Sequence, residues 1–405
     1  MGFQQGLSGL NAAARNLDVI GNNVANSNTI GFKGSQALFA DVFANAIGGS
    51  GGSGAGIGVA VAGIQAEFSQ GNITTTNSPL DMAINGNGFF RLDTNGTITF
   101  SRNGQFHLDK DGYIVNPTGA RVSGYGVNAQ GQVVPSNPGP LQLSNADFPP
   151  AATSLSEMVL NLDSREAAIT APFNINDSTT YNKASSMTVY DSLGNPHSVG
   201  TYFVKTAPGT WSVYGAADGA PFAAAMGTLT FKSDGTLDTT ASAMPFNVSV
   251  ALTNAATSPF DFTLDFTGTT QFGANFGVNT LKQDGYTAGR LSGFGVGADG
   301  MLTGRYTNGQ SRTLGQLVLA SFPNATGLQP LGNNNWGDTA ASGQPTIGAP
   351  GSGNIGVLQS GAVEESNVDL TKELVNMITA QRVYQANAQT IKTQDQILST
   401  LVNLR

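Results

Sequence analysis

Apolar and small side chains recur at steps of three and four at both ends of the chain, and nowhere between. Over residues 1–31 the stripe is Phe3, Leu7, Leu10, Ala14, Leu17 and Val24, with Gly21 filling the remaining step. Residues 367–405 repeat it with Leu370, Leu374, Met377, Tyr384, Ala388, Ile391, Leu398 and Val402. This spacing puts the side chains on one helix face, as in a seam between two helices. A first helix is expected over about 3–24. Asn22, Asn23, Asn26 and Asn28 should end it, since Asn tolerates turn and left-handed conformations. A second helix is expected from Asn367 as N-cap, with Glu364, Glu365 and Asp369 near its positive end. Amphipathic helices of this length are marginal in water. Ala12, Ala13, Val19, Ile20, Val375, Ile378 and Val383 lie off the stripe and are also apolar or small. Such helices gain most from neighbours on several sides, so both ends are expected to be mobile in the free chain and to fold on assembly.

Between the ends the pattern is of short strands. Runs at 88–92, 97–101, 105–108 and 113–115 are separated by Asn95-Gly96, Asn103-Gly104 and Asp111-Gly112, dipeptides that supply the positive φ of tight hairpins. Prolines at 135, 138, 140, 149 and 150 mark a boundary. Further strands are expected near 186–191, 199–205, 211–214, 227–232, 246–252 and 260–266, then at 290–294 and 314–321. Residues 48–58 are almost all Gly, Ser and Ala and read as a tether. The fold class is therefore mainly β and multidomain, with paired α-helical termini and nested β domains. The expected division is 1–31 plus 364–405 as a helical core domain and 32–79 as an extended, flexible linker. Residues 80–149 plus 285–363 would form an inner β domain, with 150–284 inserted as an outer one.

Composition narrows the function. Only 11% of residues are charged, Gly accounts for 53 of 405, and the net charge is −8. Lys and Arg are scattered singly, which argues against nucleic acid as a partner. There is no cysteine, so disulfides, thiol nucleophiles and Cys-ligated metals are excluded together. No apolar run reaches membrane-spanning length, and residues 1–31 lack the basic start and continuous apolar stretch of a secretory leader. No catalytic constellation emerges. His107 and His197 have no partners at a ligand or triad spacing. Asp109-Lys110-Asp111-Gly112 lacks the distal Glu of a calcium loop and reads as a hairpin turn. Gly86-Asn87-Gly88 has no following helix or lysine to hold a phosphate. Asp163, Glu166, Asp177 and Asp191 are the carboxylates from which a glycosidase pair would be drawn, but their spacing carries no signal. Cofactor, metal and catalytic residues are accordingly expected to be none.

Longer motifs say more. Residues 8–13, SGLNAA, and 22–33, NNVANSNTIGFK, resemble the N-terminal signature of bacterial flagellar axial proteins. Its distinctive positions here are Asn22, Asn23, Ala25, Asn26, Gly31, Phe32 and Lys33. Ser366-Asn367-Val368-Asp369-Leu370 and residues 373–382, ELVNMITAQR, resemble the C-terminal counterpart. Residues 80–84, Gly88-Phe89-Phe90-Arg91 and Ser101-Arg102-Asn103-Gly104 occur in the rod and hook members alike. Length and the 151–284 insertion are similar to the hook members. The resemblance implies a secreted structural subunit that polymerises with itself into a flexible curved tube, a universal joint between rod and filament. It implies export through the flagellar type III apparatus without leader cleavage. The other implied partners are the hook cap protein, the distal rod and the hook–filament junction protein. Two alternatives remain open: a distal rod or junction protein, and a secreted β-rich adhesin or enzyme.

Overall fold

The computed structural model describes residues 2–42, 56–144 and 146–403. Most of the tether read at 48–58 therefore lies outside the described residues. The chain divides into two compact units. One comprises Met1–Ser144, Gly293–Gly304 and Ser311–Arg405; the other comprises Asn145–Ser292 and Arg305–Gln310.

The first unit contains both helices, α1 (Gly2–Ala25) and α2 (Leu370–Asn403). They run antiparallel, because Gly6 lies against Ile391 and Gly9 against Asn387. Strands β1 (Ser35–Val42) and β2 (Gly58–Ala66) form an antiparallel hairpin with an irregularity between Leu38 and Phe39. Beyond it, β3 (Ile73–Thr75) pairs with Ala362–Glu364, and β4 (Met82–Asn85) pairs with Val357–Ser360. Two short ladders thus tie the segment after the hairpin to the segment before α2. The main sheet is built on β5 (Phe89–Thr94) and β6 (Thr97–Ser101). Six of its strands run in the order Ser311–Leu317, Arg121–Tyr125, β5, β6, Asn335–Gly337, Gln329–Gly332. Asn95 (φ 52°) and Gly96 (φ 90°) make the left-handed turn between β5 and β6 that their sequence requires. Phe90, Leu92 and Val122 are fully buried on this sheet. Phe68, Phe89, Phe100, Phe322 and Trp336 pack beside it, largely edge to face.

Asn103-Gly104 is not a hairpin turn. The Met82 amide donates to the Gly104 carbonyl, and a Cβ on Gly104 would meet the Met82 carbonyl oxygen. Glycine is needed there for close backbone approach, a use that the dipeptide pattern does not distinguish from a turn.

The second unit is two sheets over one core. One runs Lys183–Tyr190, Pro196–Ala207, Thr210–Ala217, Ala220–Pro221; the other runs Phe246–Val250, Phe260–Asp265, Leu155–Asn161, Gly277–Gln283. Met158, Leu160, Phe203, Trp211 and Phe266 are sealed between them. Strands Leu155–Asn161 and Gly277–Gln283 were not among those expected from sequence. The first buries Ser156 where the pattern wants an apolar residue, and the second is an edge strand with no buried face.

Candidate self-assembly surface

On α1 the helix pair does not close on the stripe of large residues, whereas on α2 the stripe residue Ile391 lies against Gly6. The side of α1 facing α2 carries Gly6 and Gly9, and the β1–β2 hairpin covers an adjoining side. There Val59 N–H donates to Ser8 Oγ (3.3 Å), and Gln5 donates to the Gly56 carbonyl (2.6 Å). Ala12, Ala13, Val19 and Ile20 are buried by these neighbours. Small residues let the backbones approach, and the groove between α1, β1 and α2 is lined by Asn16, Asn23, Asn376, Ala380 and Asn387. The buried residues and the large stripe lie about 120° apart around α1 at 100° per residue. Periodicity alone finds both stripes and does not say which one the chain itself covers.

The large residues remain outside. Phe3 and Leu7 are exposed, whereas Leu10, Ala14, Leu17 and Val24 are half-buried. On α2, Met377, Ala388 and Ile391 are half-buried; Leu370, Leu374, Tyr384 and Leu398 are exposed. Val402 belongs to the helix, but its side chain is outside the described ones. Val375 (59% exposed), Ile378, Val383 and Ile397 extend the uncovered apolar surface around α2. Continuing the Gly6–Ile391 register, α1 begins opposite about residue 395, so among the described residues none of α1 lies across from the last turns of α2.

The family-like motifs do different work, at the base of the helices. Asn23 is buried and its amide exchanges two hydrogen bonds with Ser35: Nδ2 donates to the carbonyl (2.8 Å), and Oδ1 accepts from the N–H (2.9 Å). Asn26 Nδ2 donates to the Asn22 carbonyl (3.0 Å), closing the end of α1; Ala25 is exposed. Gly31 has φ 70°, and its N–H donates to the Glu364 carbonyl (2.7 Å). Phe32 is half-buried beside it. Asn367 is not the N-cap of α2. Its Oδ1 accepts from Gly34 N–H (2.8 Å), and its Nδ2 donates to the Glu67 carbonyl (2.8 Å) and Ser69 Oγ (3.0 Å). Asp369 is the cap, accepting from the N–H groups of Thr371 (2.8 Å) and Lys372 (3.1 Å). A carboxylate at the helix start satisfies two orphan donors, which frees Asn367 to bridge three chain segments. Val368 packs against Gly34.

Beneath these lies a buried ionic cluster. Lys33 Nζ donates to Glu364 Oε1 and to the Ser69 carbonyl, both at 2.7 Å, and Gly71 N–H reaches the same carboxylate oxygen at 2.9 Å. Arg102 Nη1 stands 3.6 Å from Glu364 Oε2, and its Nη2 donates to the Gly86 carbonyl. All three side chains are sealed from solvent. Burial pushes the Lys33 ammonium below its ordinary value despite the attraction of Glu364, and burial does the same to Arg102. Glu364 sits in a strand and not at the helix end. The available signal was its setting in Ala362-Val363-Glu364, since an acid inside a strand's apolar run in so weakly charged a chain needs a cation.

The four carboxylates Asp163, Glu166, Asp177 and Asp191 are all held by neighbours. Asp163 pairs with Arg165 (2.7 Å), Glu166 pairs with Lys183 (3.0 Å), and Asp177 accepts from Thr179 N–H. Asp191 is fully buried and accepts from Leu193 and Asn195 N–H, from the amides of Asn195 and Asn254, and from His197. His197 Nδ1 contacts Asp218 (2.6 Å) on its other side. Asp109 accepts from the N–H groups of Asp111 and Tyr113, as a turn does. Among the described residues there is no cluster of His, Cys, Asp and Glu able to hold a metal, and no helix long and apolar enough to cross a membrane.

Residues 3–33 match the flagella basal body rod protein family, and 83–179 match the flagellar hook protein FlgE/F/G D1 domain. Residues 161–286 match the flagellar basal body protein FlaE D2 domain, and 359–404 match the flagellar basal body rod FlgEFG protein C-terminal family. The chain is 46% identical to the flagellar hook protein FlgE of Salmonella typhimurium over 416 residues, and 46% identical to that of Escherichia coli over 414. Both alignments cover 100% of each chain. A crystal structure of Helicobacter pylori flagellar hook protein FlgE2 is similar in fold (TM-score 0.50, 12% identity), covering 71% of this chain and 99% of that one.

Proposed function

The chain belongs to the flagellar hook protein FlgE family, structural subunits of the bacterial flagellum, and we propose that the exposed apolar surface of its terminal helices, on and beside the stripes, is where copies join. The observation that carries this is the uncovered apolar surface of α2 at Leu374, Val375, Ile378, Val383 and Leu398, on a helix whose partner meets it at Gly6 and Gly9. Each large aliphatic residue contributes about 1.5–3 kcal/mol when fully covered, and here much of that is still to be gained. A neighbouring copy supplies the cover, and a heterologous contact that does not close propagates into a tube.

In this reading 1–31 with 364–405 is the polymer's inner helical wall, and 32–79 connects it to the rest. Residues 80–149 with 285–363 and the inserted 150–284 form the outer layers. The product is a curved, compliant tube that passes torque from rod to filament. The chain reaches its place outside the cell by type III export with no leader cleaved. It meets the cap protein, the distal rod and the junction protein at the ends of the tube. The role is mechanical and not catalytic. Electron microscopy of the purified full chain under polymerising conditions tests this. Curved tubes are expected from the full chain, and none from chains lacking 1–31 or 364–405. Tubes formed by either truncated chain, or a permanently monomeric full chain, would refute the reading.

A further inference from the structure

Lys33, Arg102 and Glu364 come from three distant stretches: the end of the α1 segment, the strand-end loop after β6, and the strand before α2. Lys33 and Glu364 are 331 residues apart. The cluster holds two cations and one anion, with Lys33 and Glu364 fully buried and Arg102 nearly so. Arg102 Nε and Nη1 and Glu364 Oε2 make no hydrogen bond, so the guanidinium depends on the charge of Glu364 more than on geometry. Remove that one carboxylate and two like charges face each other in a dry site. Burial of unpaired charge is among the costliest local events in a protein, whereas an all-apolar replacement of an ion cluster is often neutral.

We propose that the Lys33–Glu364–Arg102 cluster is an electrostatic interlock that lets residues 31–42 dock only after the C-terminal segment has closed. Until Glu364 arrives, Lys33 and Arg102 keep the base of α1 and strand β1 from settling on the inner β structure. Gly31 N–H, which donates to the Glu364 carbonyl, and Asn367, which holds Gly34, then complete the closure. The device ensures that α1 takes up its place only in a chain complete through the start of α2. Its link to assembly rests on the hook reading above; its effect on the free chain does not.

Hydrogen exchange of the full-length monomer, read by mass spectrometry at peptides covering 31–42 and 69–76, tests this. Glu364→Gln keeps the shape and removes the charge; exchange in these peptides is expected to accelerate by about 100-fold or more. The charge-free triple variant, Lys33→Met with Arg102→Met and Glu364→Gln, is expected to return to within about tenfold of wild type. Peptides over 199–204 and 211–217, in the other unit's core, serve as the internal reference and should not change. Three results overturn the interlock: no acceleration in the single variant, a triple variant as open as the single one, or equal loss in both units. A chain that gives the expected exchange pattern yet never forms tubes counts against the hook reading and leaves the interlock standing.

Discussion

Replacing Leu374 by Asp separates the free chain from the polymer. Leu374 lies in the second turn of α2 and is 44% exposed, with Leu370 and Ile378 one turn either side and also uncovered. In the free chain the change forfeits roughly half of a leucine's burial and a little helix propensity, together about 1–2 kcal/mol. On the proposed assembly surface another copy covers the rest of the side chain in the polymer. There the variant loses about another 1 kcal/mol of apolar burial and must bury an unpaired carboxylate, for a total of about 4–6 kcal/mol per subunit. That is about a thousandfold in association or more. The critical concentration for polymer, measured by sedimentation, should therefore rise beyond the accessible range. Calorimetric melting of the monomer should change little. Leu374→Met, which keeps the volume and the apolar character, should polymerise near the wild-type concentration. Normal sedimentation of Leu374→Asp as polymer would refute the argument. So would a loss in monomer stability as large as the loss in assembly, because the effect would then be one of folding.

Two further outcomes concern the chain alone. Gly31→Ala places a side chain at φ 70°, with Cβ 2.5 Å from the Asn103 nitrogen and 2.6 Å from its Cα. Left-handed strain and forced backbone movement together should cost about 2–5 kcal/mol in denaturant unfolding of the first unit, and a change under about 0.5 kcal/mol would contradict this. The second outcome is a pH dependence in the other unit. Burial alone would lower the His197 value, but hydrogen bonds to Asp218 and Asp191 outweigh it and hold the imidazole above its ordinary 6.5. Its contribution is then complete below about pH 6.5 and drains away as pH rises through the folded value. For Asp191 and Asp218 burial also opposes the charge, yet their hydrogen-bond donors hold both below the ordinary 3.8; their contribution is lost as pH falls through those lowered values. The unit's melting temperature should decline as pH rises above about 6.5, and His197→Asn should flatten that slope.

Much of the class was legible in the chain. Three-four spacing at the ends and period-two runs between Asn-Gly and Asp-Gly turns follow from local geometry, which acts within a few residues and so is written locally. The terminal helices, the β5–β6 hairpin and most strands of the second unit came from that source. The motif residues were identifiable by likeness, but their work was not. Asn23 holds Ser35, Asn367 holds Gly34, and Lys33 finds Glu364 across 331 residues of sequence. Such pairings are set by where the fold delivers each segment, and no local rule contains them. The same holds for the helix seam. Two stripes on α1 fit a helix partner equally well by spacing. The tertiary structure set Gly6 and Gly9 against α2, since glycine permits the closer approach, and left Leu374, Val375, Ile378, Val383 and Leu398 of α2 outside for something else to cover.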